Sequence, residues 1–262
     1  MTEVIRVNGI ELAYEDVGEG DPFVLLHGWT GSGRDWVTLT PELAADRRII
    51  APHHRGHGAS AKTGDPASYT FAHLVADFAA FVDALELPTF DLLGHSMGGL
   101  VAMHYAIENP GRVRSLLPMD TGGAPTPGAI VWFQPLIDLV RQGGMTAYHA
   151  AGRAYSFPDG EPAAACEAFG EAVLAMDPEA FCQFAVELTT YPSFLEGLRT
   201  LSIPATVLVG ENDVGLRGAA EDLASHIPGA VLDVIPGGAH SPHWESKAAW
   251  LAAVARHFAR LS

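Results

Sequence analysis

Apolar residues arrive along this chain in short runs. Phe23 to His27, Arg48 to Pro52, Phe90 to Gly94, Ser115 to Met119, Ala205 to Gly210 and Ala230 to Ile235 are each brief and bounded by Gly, Pro or Asp. That length and punctuation predict buried strands. Between several of them the period changes. Phe71, Leu74, Val75, Phe78, Phe81, Val82 and Leu85 recur at three- and four-residue spacing, one stripe of a helix ending near Pro88. Trp250, Leu251, Val254 and Phe258 make a second stripe at the end of the chain. The opening MTEVIRVNGIELAYEDVG alternates apolar and polar positions around Asn8-Gly9, which predicts an antiparallel hairpin. Strands alternating with helices predict an α/β fold whose mostly parallel sheet is covered by helices on both faces.

The alternation breaks after Asp120. From about Ala124 to Leu198 the pattern is helical throughout and carries Trp132, Phe133, Met145, Tyr148, Phe157, Phe169, Phe181, Phe184, Tyr191 and Phe194. Strand spacing resumes at Ala205. An inserted helical lid at 123–199, with a core made of 1–122 and 200–262, is the simplest account. Most of those aromatics are expected to hold the lid together, and a minority to face a substrate cavity.

Composition narrows the function classes. At 262 residues and 48% hydrophobic content, the chain can bury a large core. Fifteen Lys and Arg against thirty-one Asp and Glu give a formal charge of −16, a field that repels phosphate backbones and argues against a nucleic-acid partner. No window is long enough to span a membrane. The first residues lack a basic end followed by an apolar core, so they read as strands and not as a secretion signal. Two cysteines, Cys166 and Cys182, do not make a disulfide scaffold; they are expected to pack as small apolar groups in a cytoplasmic protein.

The chemistry centres on GHSMGG at 94–99, which follows the strand-like FDLLG and precedes the helical LVAMHYAIE. A serine at a sharp strand-to-helix corner is held exposed above the sheet, and small residues on either side avoid clashes in the strained turn. Gly94 and Gly98 hold those positions. In a chain with 28 glycines the string alone is weak; the strand before it and helix after it make it informative. A serine hydroxyl needs a base to take its proton and a carboxylate to orient that base. His240 lies in IPGGAHSPHWES, a glycine-rich loop after the last strand, with His243 as competitor in a supporting or solvated role. Asp213 follows the strand ATVLVG in the turn GEND. The order serine, aspartate, histidine is the one expected for this type of sheet.

Four blocks, LLHGWTGSGRDW at 25–36, APHHRGHGAS at 51–60, GHSMGG at 94–99, and GENDVG with GGAHSPHWE at 210–245, resemble those of the α/β-hydrolase superfamily of esterases and lipases. The resemblance runs over nearly the whole chain and implies an eight-stranded-type sheet. It implies Ser96 as nucleophile, His240 as general base and then acid, and Asp213 as orienting partner. Trp29 and Met97 are expected to supply the two backbone N–H groups that stabilise the negative oxygen formed on attack. The implied reaction is cleavage of a small-molecule carboxylic ester or lactone, without a cofactor or a metal.

Two departures stand out. His53 occupies a position where relatives often carry Asp, and His53, His54 and His57 together invite a metal reading, disfavoured because no carboxylate or cysteine completes a ligand set. Asp120 in PMDTGG follows a different strand end; some relatives place the acid there, so it is the reserve for Asp213, its plain reading being a turn-forming residue. Enol-lactonases, carbon–carbon bond hydrolases and cofactor-free haloperoxidases or perhydrolases share these motifs. An anionic enol-lactone needs a local basic pocket, for which Arg141, Arg153 and Arg199 are candidates. A hydrolase-like ligand receptor is the alternative outside enzymes.

Overall fold

In the computed structural model, which describes residues 2–125, 128–151 and 163–261, eight strands form a single sheet. Arg153 and Phe157, singled out above, lie outside the described residues. β1 (Thr2–Val7) and β2 (Ile10–Val17) pair as the antiparallel hairpin, with Asn8 and Gly9 at positive φ of 48° and 80°. Both central residues of a tight hairpin turn require that region, which Asn and Gly enter at least cost. Then follow β3 (Asp21–Leu26), β4 (Arg47–Pro52), β5 (Phe90–His95), β6 (Val113–Met119), β7 (Thr206–Gly210) and β8 (Val231–Ile235).

Their spatial order is β1-β2-β4-β3-β5-β6-β7-β8, with every pair from β4 onward parallel. The chain steps from β3 to β4 on one side and then returns to lay β5 on the other side of β3. This is a topological switch point, where the loops leaving adjacent strand ends diverge and open a crevice for a ligand.

One core cluster joins the helix Phe71–Ala84 and the helix Met97–Glu108 to one face of the sheet through Leu74, Phe78, Phe81, Leu92 and Val101. The other joins the helix Lys247–Ala259 through Trp250 and Val254 to Phe23, Leu25, Leu93 and Leu208. Leu92 and Leu93 thus face opposite sides, the alternation expected of a strand buried twice. Cys182 is buried within the first cluster.

Between β6 and β7 the described residues are helical: Ile130–Ala151, broken at Gly144, then Ala163–Ala175, Pro178–Thr190 and Leu195–Leu198. Phe181 and Phe184 are fully buried: Phe181 packs on Tyr148 within this segment and on Trp29, and Phe184 packs on His57 and Tyr69. No described helix is long and apolar enough to cross a membrane.

Candidate active site

Ser96 follows the last residue of β5 and precedes the helix Met97–Glu108, with φ 51° and ψ −116°. This positive φ in a non-glycine residue is strained and persists only where its surroundings impose it. They do so here from three directions. The Ser96 N–H donates to the Met119 carbonyl at 2.8 Å, and its own carbonyl accepts from Thr121 Oγ1 at 2.9 Å. A side chain on Gly94 would run into the Gly98 backbone, and one on Gly98 into the carbonyls of Leu26 and His27.

Two distant residues meet the serine. His240 Nε2 lies 3.1 Å from Ser96 Oγ, and His240 Nδ1 lies 2.8 Å from Asp213 Oδ2. A carboxylate only accepts, so Nδ1 carries the proton and Nε2 presents its lone pair to the serine hydroxyl. Burial pushes the Asp213 carboxyl upward, but the hydrogen bond and charge of His240 outweigh it and hold the group below its ordinary value. The backbone of the histidine loop is fixed as well: His95 Nε2–H donates to the His240 carbonyl at 2.7 Å. Burial drives the His95 pKa down to about 3, so its ring stays neutral in that role.

Asp120 is more than a turn residue. It is fully buried at the end of β6, with φ 46°, and its Oδ1 accepts the Gly210 N–H at 2.8 Å. Burial first, and the neighbouring Asp213 with it, raise its carboxyl well above the ordinary value, against the pull of the Gly210 hydrogen bond. Of the two neighbouring carboxyls, Asp120 therefore holds its proton more tightly and Asp213 less. Its signal in the sequence was only an Asp at a strand end; the partner strand, which makes the difference, lies ninety positions away.

The loop after β3 completes the ring around the serine. Gly28, Trp29 and Thr30 line the same cavity as Ser96. His27 brackets this loop to the one after β4: its Nδ1–H donates to the Gly28 carbonyl at 2.8 Å, and its Nε2 accepts the His54 N–H at 3.0 Å. Trp29 Nε1 donates to the Phe181 carbonyl at 3.2 Å, and its ring packs on Phe181 with centroids 4.4 Å apart, tying the loop to the helical segment. Met97 is the first residue of its helix, where N–H groups have no intrahelical acceptor and the dipole is positive.

The histidines of the second block are packing groups. His54 and His57 are buried, with rings 4.4 and 5.0 Å from that of His27. Burial depresses His54 to about 3 and His57 to about 4. A carboxylate does approach one of the three, contrary to expectation: Glu15 comes to 3.5 Å of His53 Nε2. Among the described residues, Asp120, Asp213 and His240 form the group whose ligand-type atoms lie within 4.8 Å of one another. His243 is fully buried against Trp36, His95 and Trp244, so the expectation of a solvated role is corrected to a packing one.

The cavity above Ser96 has a volume of about 480 Å³. Of the aromatics in the helical segment, Trp132, Phe133, Tyr148, Phe169 and Tyr191 line it. Arg141 and Arg199 are exposed and do not; among the described residues no Lys or Arg lines this cavity.

A sequence profile of the alpha/beta hydrolase fold matches residues 21–165. A 2-hydroxy-6-oxo-2,4-heptadienoate hydrolase of Pseudomonas putida is 40% identical over 124 residues, 46% of this chain and 44% of that protein. The chain thus spans less than half the length of that relative. Among solved structures, a thermophilic esterase from Thermogutta terrifontis is 28% identical with a TM-score of 0.83, covering 100% of this chain and 99% of that one. The enol-lactonase from Burkholderia xenovorans LB400 shares the fold at 23% identity, with a TM-score of 0.86 over 98% of this chain and 100% of that one.

Proposed function

The chain belongs to the α/β hydrolase fold family, and from that premise we propose that it is a serine hydrolase cleaving carboxylic esters through an acyl-enzyme. The observation that carries this reading is the continuous path from Ser96 Oγ through His240 at 3.1 Å to Asp213 at 2.8 Å, opening onto a cavity lined in part by aromatic rings. In this mechanism the Ser96 oxygen attacks the ester carbon while His240 Nε2 takes its proton. The carbonyl oxygen becomes negative and is met by the Trp29 and Met97 N–H groups. His240 then returns the proton to the departing alcohol, and water, deprotonated in turn by His240, releases the acid. Asp213 holds the imidazole in the required tautomer and balances its charge. We read the segment 123–199 as a cap over this site, with 1–122 and 200–262 as the core domain.

A second reading, hydrolysis of a substrate like that named for the P. putida relative, is favoured by the 40% identical stretch. Against it, a carboxylate-bearing substrate calls for a cation in the cavity, and among the described lining residues there is none. A panel of p-nitrophenyl esters of increasing chain length, run beside lactones and a β-diketone, separates the readings. Labelling by a fluorophosphonate, lost in Ser96→Ala, is the expected sign of the activated serine. Turnover of the diketone alone would overturn the ester reading, and label without turnover of any substrate would point to a ligand receptor.

A further inference from the structure

Asp35 stands in the same cavity and takes no part in the chemistry above. It belongs to the turn Gly33–Trp36, where Ser32 Oγ accepts the Arg34 N–H and Asp35 Oδ1 accepts the Ser32 N–H at 3.0 Å. Local capping therefore consumes one carboxyl oxygen. The other, Oδ2, sits over Cα of Gly31, where a side chain would collide with it, and has no hydrogen-bond partner among the described residues. The residue is 3% exposed, lines the cavity, and is pinned from outside by the Trp244 Nε1–H, which donates to its backbone carbonyl at 2.7 Å. A buried carboxyl with an unused oxygen facing a cavity is an unmet demand for a donor or a positive charge.

The surroundings supply no such charge. Arg34 on the same turn pairs with Glu171 at the surface. On the packed strands, Arg47 serves Asp91, Arg48 serves Asp16, Asp21 is taken by Arg114, and Glu15 faces His53. Glu245 accepts the Ala239 and Ser241 N–H groups, His243 is kept neutral by burial, and Glu11 and Glu167 point to solvent. Burial lifts the Asp35 carboxyl to about 7, opposed only by the Ser32 N–H. Around it, Trp29, Phe133, Tyr148, Phe169, Tyr191 and Trp244 present aromatic rings to the same cavity, groups that attract cations. The overall charge of −16 draws cations toward the protein.

We propose that Asp35 is a recognition site for a cationic substrate, an ester carrying an ammonium group that settles against its free carboxyl oxygen. This rests on the ester reading of the site but is tested apart from it. A choline ester and its uncharged carbon isostere, the 3,3-dimethylbutyl ester of the same acid, differ only in charge. Titrating each by calorimetry into Ser96→Ala protein gives binding without turnover. The choline ester is expected to tighten roughly tenfold between pH 6 and pH 8.5 as Asp35 ionises, while the isostere does not. The ratio of the two affinities removes whatever acts alike on both ligands, and the Asp35→Asn series separates Asp35 from the other carboxyls of the cavity, Asp120 and Asp213. In Asp35→Asn the ratio is expected to be flat with pH; if that variant folds poorly, Asp120→Asn makes the same assignment, since the rise persists there if it comes from Asp35 and is lost if it comes from Asp120. Equal affinities at pH 8.5, or a ratio independent of pH, overturn the proposal even where p-nitrophenyl esters are hydrolysed. Loss of fluorophosphonate labelling together with a rising ratio would instead overturn the ester reading alone.

Discussion

The carboxyl of Asp120 and the amide of Gly210 are joined by a 2.8 Å hydrogen bond that clips the end of β6 to the end of β7. The two strands are also tied by the Asp120 N–H to the Leu208 carbonyl at 3.0 Å and by a bridge between Leu116 and Ala205, and the side-chain bond adds the tie closest to the Asp213 turn. Asp120→Asn keeps an acceptor for Gly210 and a donor toward Asp213, and kcat/KM is expected to fall less than about tenfold. Asp120→Ala leaves the Gly210 N–H buried and unpaired, at a cost of about 1–3 kcal/mol. Urea unfolding and ester kinetics on the two variants check this; equal damage from both would mean that the hydrogen bond is not what matters.

Gly28 is packed against the serine corner itself. A Cβ there would stand 2.9 Å from His95 Nδ1 and 3.3 Å from Ser96 Cβ. Gly28→Ala therefore pushes on the ring that holds the His240 loop while leaving both core clusters intact. We expect kcat/KM to drop on the order of 10²-fold, as for an ångström-scale misplacement of reacting groups, with the melting temperature changed by only a few degrees. A loss of stability large enough to explain the loss of rate would refute this.

Much of this arrangement was legible in the chain because strand ends and helix starts are written locally. The runs at 48–52, 90–94 and 115–119 each fall within the observed strand, offset by no more than two residues at an end. Gly94 and Gly98 could be read as clearing a corner because clashes across a tight turn need no knowledge of the rest of the fold. The residues that were misjudged depend on contacts between distant strands. The use of Asp120 is set by Gly210 and that of His53 by Glu15, while the burial of His243 is set by Trp36. Periodicity along one strand carries no information about which strand becomes its neighbour. Asp35 drew no reading from the sequence, because nothing local to the turn Gly33–Trp36 signals that its acid lines the cavity.

Asp213→Asn tests which acid orients His240. An amide in its place can present an N–H to Nδ1 and favour the wrong tautomer, and the rate is expected to fall by about four orders of magnitude with little change in substrate affinity. The hydrogen bond of His240 that holds the Asp213 pKa down also contributes stability above about pH 4, lost as the pH falls through the lowered folded value. Full activity in this variant would transfer the role to Asp120.

Acid should begin to destabilise the protein already below about pH 6.5, above the carboxylate range. Burial holds His54 and His95 at about 3, His57 and His257 at about 4, and His27 and His243 far below the ordinary histidine value. Unfolded, each takes a proton near pH 6.5, so the stability that these six contribute is complete above that pH and drains away as the pH falls toward the folded values. Asp35 and Asp120 act in the opposite sense, because their raised pKa values make the folded state bind protons that the unfolded state releases. Six groups against two, with His104 lowered less strongly on the side of the six, leave about four protons taken up on unfolding between pH 6 and pH 5, a loss approaching roughly 5 kcal/mol per pH unit. Against a total stability of about 5–15 kcal/mol, that slope brings cooperative unfolding by about pH 5 to 4. Urea midpoints at pH 7.5, 6 and 5 give the measurement: a steep fall is expected, and a midpoint unchanged from 7.5 to 5 would mean that these imidazoles are already charged in the fold.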